Sequence, residues 1–185
     1  RTNKVLLAMI IFTGLVEMLG FSYEALLPSL ARDVLDVGAD GLGILVGIRA
    51  IGGIAGIAIL VSRTHMSRQG LTYVSMVFLF GCLLMVLGFA PNFLVALLIV
   101  IVINAIQAFT DVLSQSLMLL NVPEELRGRA MGSWVLAVGS GPIGRFQIGA
   151  LASTVSVAFA LAFNGFALAL LAISVVVIFP KIRRL

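Results

Sequence analysis

One cysteine, one histidine, one tryptophan and eight acidic side chains are all that 185 residues contain of these types. Cys82 has no thiol partner in the chain, so neither a disulfide framework nor a thiolate metal site can form within one copy. H-E-x-x-H, a nucleophile elbow, a glycine-rich phosphate loop and paired metal ligands are also missing, which argues against an enzyme and leaves nothing that calls for a cofactor. Charged residues are scarce as well, 11% against 61% hydrophobic, and mean hydropathy is +1.20. That is far too little polar surface to cover a water-soluble globule, so the first partner of this chain is a lipid bilayer. The net charge of +4 does not point to nucleic acid, because Lys and Arg occur in small groups at helix ends without interleaved aromatics.

Apolar residues fill six blocks, each able to cross a bilayer: 5–27, 42–62, 71–90, 92–119, 130–151 and 155–179. They predict an all-α polytopic membrane protein with a single domain over residues 1–185. The first block has Arg1 and Lys4 in front but carries Glu17 and Glu24 and lacks an A-x-A-like exit, so it reads as a mature span rather than a signal peptide. A chain that starts at Arg1 and stops just past its last block is expected to be a piece of something longer. Six spans put both termini on one side with the gaps 63–70 and 120–129. That side holds Arg1, Lys4, Arg63, Arg68, Arg127, Arg129, Lys181, Arg183 and Arg184, while the opposite gaps hold only Arg32 among Asp33, Asp36 and Asp40. The positive-inside rule then predicts cytoplasmic termini. Pro28 is expected to open the longest outer gap, 28–41, and Ala90-Pro91-Asn92 and Ser153-Thr154 to make short reversals. His65 reads as a solvated loop residue and Trp134 as an interfacial anchor.

Five ionisable residues fall within spans: Glu17, Glu24, Arg49, Asp111 and Arg145. Such groups are costly in lipid, so each is a functional candidate. Taking a rise of about 1.5 Å per residue, Glu17 lies near the bilayer middle, Glu24 two turns on along the same face, and Arg49 between them in depth. A Glu17/Glu24–Arg49 cluster is therefore expected, either as a structural ion pair or with Glu17 as a proton- or substrate-binding carboxylate. Glu24, Arg49 and Arg145 are the ion-pair candidates, although depth separates Arg145 from Asp111. Asn104, Gln107, Asp111 and Gln115 share one helix face, which must meet protein or water; interhelical hydrogen bonding and cavity lining remain open, and the cations nearest Asp111 in depth are Arg127 and Arg129. The G-x-x-x-G pairs 43/47 and 52/56 predict close helix packing, and Gly139-Ser140-Gly141-Pro142-Ile143-Gly144 predicts a kink.

The stretch Val122-Pro123-Glu124-Glu125-Leu126-Arg127-Gly128-Arg129-Ala130-Met131-Gly132, with Gly141-Pro142-Ile143-Gly144 and Gly149-Ala150-Leu151-Ala152, resembles the tenth-to-eleventh helix region of the major facilitator superfamily. Leu26-Leu27-Pro28, Ala31-Arg32-Asp33-Val34-Leu35 and Gly38-Ala39-Asp40-Gly41-Leu42-Gly43 are similar to the seventh-to-eighth helix segment of its exporters, of the enterobactin-exporter and drug-efflux kind. The resemblance covers the whole chain. It implies the C-terminal half of a twelve-helix carrier in a bacterial inner membrane, built as two inverted three-helix repeats, with a midplane cavity between halves. It further implies alternating access, proton coupling and efflux of a small amphipathic substrate, with Glu17, Asn104, Gln107 and Asp111 facing the cavity and Arg127 and Arg129 at an inner gate. Loop 63–70 is a degenerate form of the family's basic loop and lacks its acid. The other six helices are expected in cis, as a second chain or as a second copy; a non-transporting membrane scaffold or assembly subunit is the alternative.

Overall fold

A computed structural model describes residues 4–62, 68–120 and 122–178, with side chains from residue 7 onward. Arg1, Arg63, His65, Lys181, Arg183 and Arg184 lie outside the described residues. Every regular element among those described is helical. The first span runs from α1 (Lys4–Leu19) through a 3-10 segment (Phe21–Leu26), α2 (Leu27–Ser29) and a π-type turn (Leu30–Val34). After it come α3 (Gly38–Ser62), α4 (Gln69–Leu87), α5 (Phe93–Leu120), α6 (Arg127–Val138), α7 (Gly141–Thr154) and α8 (Val157–Ile178). Five of these stretches are long and apolar enough to cross a membrane: Leu7–Val34, Gly38–Ser62, Gln69–Leu87, Phe93–Leu120 and Val157–Ile178.

Two differences from the six expected blocks have local physical causes. Block 130–151 is not one helix but α6 and α7, of 12 and 14 residues, separated at Gly139-Ser140. Here the kink expected from Gly139, Gly141 and Pro142 is a full interruption, since Pro142 has no amide to continue the ladder. In the first span, helical winding continues to Val34 instead of ending at Pro28. Pro28 sits in the first turn of α2, where its missing N–H was never needed. The connection to α3 shrinks to residues 35–37 and turns through two left-handed residues, Asp36 (φ 50) and Gly38 (φ 64), residue types that tolerate that region. The other turns are as short as expected: the Asn92 side chain accepts from the Val95 amide (3.0 Å) at the start of α5, and Ser156 Oγ accepts from the Phe159 amide (3.1 Å) at the start of α8.

Helices pack in pairs through glycines. Gly52 and Gly56 of α3 lie directly against the backbone of Ile101 and Ala105 of α5, and Gly81 of α4 faces the Gly165 carbonyl of α8, where an added Cβ would sit 2.5 Å from that oxygen. Small residues are what permit such approach in lipid, where no hydrophobic force drives helices together. The pair 43/47 differs: among the described residues a Cβ at either glycine would meet open space, so this G-x-x-x-G seats no neighbouring helix there. α6 runs along α1, and α7 continues along the 3-10 segment, Gly144 abutting the Met18 backbone. Buried Tyr23, Leu45, Phe80, Leu84, Leu87 and Ile103 fill the centre, with Phe21 and Tyr23 both edge-on to the Phe80 ring at 6.0 and 6.2 Å.

Candidate functional site

The first span holds two acids, and its winding sends them to different places. An α-helix turns about 100° per residue and a 3-10 helix about 120°, so by Glu24, the fourth residue of the segment Phe21–Leu26, roughly 80° of extra rotation has accumulated. Glu24 is thereby carried off the face that holds Glu17. The expected Glu17/Glu24–Arg49 cluster is corrected accordingly: Glu24 alone pairs with Arg49, while Glu17 faces another group of helices.

The Glu24 site joins three spans. Arg49 of α3 ion-pairs with Glu24 and donates from Nε to Asn104 Oδ1 of α5 (3.0 Å). Asn104 Nδ2 donates to Tyr23 Oη (2.8 Å) and to the Val100 carbonyl (2.9 Å), and Gln107 Nε2 donates to Glu24 Oε1 (2.9 Å). Both charged side chains are about a quarter exposed, 23% for Arg49 and 25% for Glu24. Removing one partner leaves the other charge short of compensation. Arg49→Gln is therefore expected to lower stability by about 1–3 kcal/mol, and Glu24→Gln/Arg49→Gln to lose less than the sum of its parts, read from unfolding in detergent. Additive losses would mean that the pair is not coupled.

Glu17 and Asp111 line one narrow crevice with Thr13, Tyr73, Thr110 and Ser114, closed on one side by Val138 at the end of α6. It offers about 10 Å³ of room for the centre of a water-sized sphere, at the lower limit for a single water. The Thr13 and Tyr73 hydroxyls are 3.4 Å apart, and Trp134 Nε1 donates to Ser114 Oγ (3.2 Å). Trp134 thus points into the bundle and is half-buried, a correction to its expected role as an interfacial anchor; its N–H finds a partner on α5 instead of at a headgroup. Asp111 does not turn toward Arg127 or Arg129 and forms no salt bridge among the described residues, sharing its crevice with a second acid.

The crevice abuts the interruption between α6 and α7. The single Ser140 hydroxyl hydrogen is shared between the Ala137 carbonyl of α6 (2.6 Å) and the Gly14 carbonyl of α1 (3.1 Å), and a Cβ on Gly141 would sit 3.1 Å from Glu17 Oε1. Gly141 therefore leaves the space that the Glu17 carboxylate uses.

Of the remaining candidates, Arg145 is exposed on α7 and makes no salt bridge among the described residues, so the ion pair consists of Glu24 and Arg49 without it. Arg145 instead exerts its charge on Glu17, since α7 packs on α1 as well as on α8 and the 3-10 segment. Arg127 pairs locally with Glu124 (3.2 Å), three residues before it, and Arg129 is exposed on the same short stretch. One cluster escaped sequence reading. Fully buried Asn164 of α8 donates to the Leu19 carbonyl (3.2 Å) and Ser22 Oγ (3.3 Å), and exchanges bonds with the Gln147 amide of α7 (3.1 and 3.4 Å). A lone amide in an otherwise apolar 22-residue helix was the available signal.

Long apolar helices, half-buried acids between them and glycine-mediated packing define a multi-pass helical membrane protein. A family profile described as transmembrane secretion effector, within the major facilitator superfamily, matches residues 1–185, and the chain belongs to that family. No curated protein and no solved structure matches it.

Proposed function

We propose that this chain is the C-terminal half of a secondary active exporter, a carrier and not an enzyme, in which Glu17 and Asp111 carry the coupling proton and a small amphipathic molecule is the cargo. The observation that carries the reading is that two acids from different spans meet in one crevice whose lining includes no Lys or Arg. Two carboxylates held there repel each other, and one proton between them relieves the repulsion. A group that gains a proton on one side of a membrane and loses it on the other is what antiport requires. Asn104 and Gln107 belong instead to the Glu24–Arg49 lock, which ties the first three-helix set to the fourth span.

Inverted repeats are supported by the packing pattern. Exchanging the first span with α5, α3 with the α6–α7 pair, and α4 with α8 turns the α3/α5 contact into the contact of α6 and α7 with α1, turns α4/α5 into α8/α1, and returns α4/α8 to itself. In this reading α6 and α7 together make the fifth of six crossings, both termini are cytoplasmic in a bacterial inner membrane, and the exposed α3 glycines 43 and 47 face the other half, whether it lies in cis, on a second chain or on a second copy.

The test uses the carrier purified from its own membrane with whatever completes it, reconstituted with pyranine inside the vesicles and ethidium as the cargo probe. An imposed pH difference is expected to drive ethidium movement and to collapse faster when ethidium is present. If neither flux responds to the other, coupled transport of this class is wrong, and the scaffold alternative stands.

A further inference from the structure

We propose that Asn164 is a positioning residue: it holds the 3-10 winding of residues 21–26 and so keeps Glu24 on Arg49 and away from Glu17. A 3-10 run of six residues exceeds the usual three or four and has poorer hydrogen-bond geometry than the α-helix it interrupts, so something outside the span must hold it. Where α1 ends at Leu19, its last carbonyls lose their partners in the helix. Asn164 Nδ2 answers one of them directly, the Leu19 carbonyl, and reaches Ser22 Oγ within the segment itself. Both acceptors flank Gly20, where a side chain would collide with Phe80 and the Val16 carbonyl. The carbonyl and amide ends of Gln147 in turn fix the Asn164 amide plane, so the clasp cannot swing without breaking a bond to α7.

The consequence is rotational. If residues 21–26 rewound as α-helix, Glu24, the fourth residue of the segment, would turn back by roughly 80° toward the face of Glu17, leaving Arg49 and Gln107 without their shared acceptor. Asn164 touches neither acid, yet it decides that the chain has one acid in a lock and one in the crevice rather than two acids together. The functional value of that separation rests on the proposed proton role of Glu17 and Asp111; the positional claim does not.

The test is a double-mutant cycle between Glu24→Gln and Arg49→Gln, measured by detergent unfolding of the full chain, repeated in an Asn164→Leu background. With Asn164 present, the coupling is expected to be about fivefold in the unfolding constant, as for a partly exposed ion pair with hydrogen-bonded support, and in Asn164→Leu to fall to near unity. The exchange Gln147→Asn/Asn164→Gln, which keeps an amide on each helix, is expected to restore part of it. Should Asn164→Leu fail to accumulate, Ser22→Ala and Asn164→Ser are read in the same cycle, each expected to give an intermediate coupling. Unchanged coupling in the variants that fold would overturn the proposal, because a purely structural Asn164 lowers stability without touching the Glu24–Arg49 term. Loss of coupled ethidium transport does not enter this cycle, so failure of the proton reading leaves the positional result standing or falling by itself.

Discussion

In vesicles holding the complete carrier, Glu17→Gln is expected to reduce gradient-driven transport to the level of empty vesicles, while protein yield stays near that of the parent. Glutamine keeps the volume and hydrogen-bonding reach of the carboxylic acid but cannot release a proton. Asp111→Asn is expected to act the same way, because the two acids share the crevice beside Thr13 and Tyr73. Glu24→Gln should behave differently, lowering stability through loss of its bonds to Arg49 and Gln107 without uncoupling the carrier. Downhill exchange of ethidium in the absence of a gradient distinguishes lost coupling from lost folding. Full coupled transport in both Glu17→Gln and Asp111→Asn would remove the crevice from the proton path.

Gly56→Val is expected to produce the largest loss of stability of any single change on α3. Its added carbon would run into the Ala105 backbone of α5, which has no rotamer by which to yield, and overpacking of this kind commonly costs about 1–3 kcal/mol, more when backbone must move. Gly52→Val is expected to be nearly as severe, against Ile101. Gly47→Val on the same helix meets open space and should stay within about 0.5 kcal/mol. Melting temperatures in one detergent, compared across the three variants, decide the matter; equal losses at 47 and 56 would mean that α3 is not seated on α5 as described.

Why was 52/56 readable in the sequence and 43/47 misleading? Both pairs have the same spacing, and spacing reports only that two glycines share a face. Which face meets α5 is decided by the whole helix. Apolar length located four crossings within a few residues and the first except for its overrun from Pro28 to Val34, because lipid imposes a similar length on every span. The first span shows where this stops. From sequence, Glu17 and Glu24 stand seven apart on one face, since α periodicity is the default; the change to 3-10 winding is set by Asn164, some 140 positions away, and no local pattern announces it. The tight pairing of Glu24 with Arg49 was legible from charge and depth, whereas the meeting of Glu17 with Asp111 was not, because opposite signs are expected to attract and like signs are brought together only by the fold.

The gap between α6 and α7 bears on how the protein enters its membrane. A stretch divided at Gly139-Ser140, with Arg127, Arg129 and Arg145 along it, offers the insertion machinery no unbroken apolar run of the usual length. It depends on a protein surface that is already in place. The first span, synthesised well before it, provides one: the Gly14 carbonyl receives Ser140, and the Met18 backbone receives Gly144. A helix made early thus presents the surface against which a later, interrupted stretch packs.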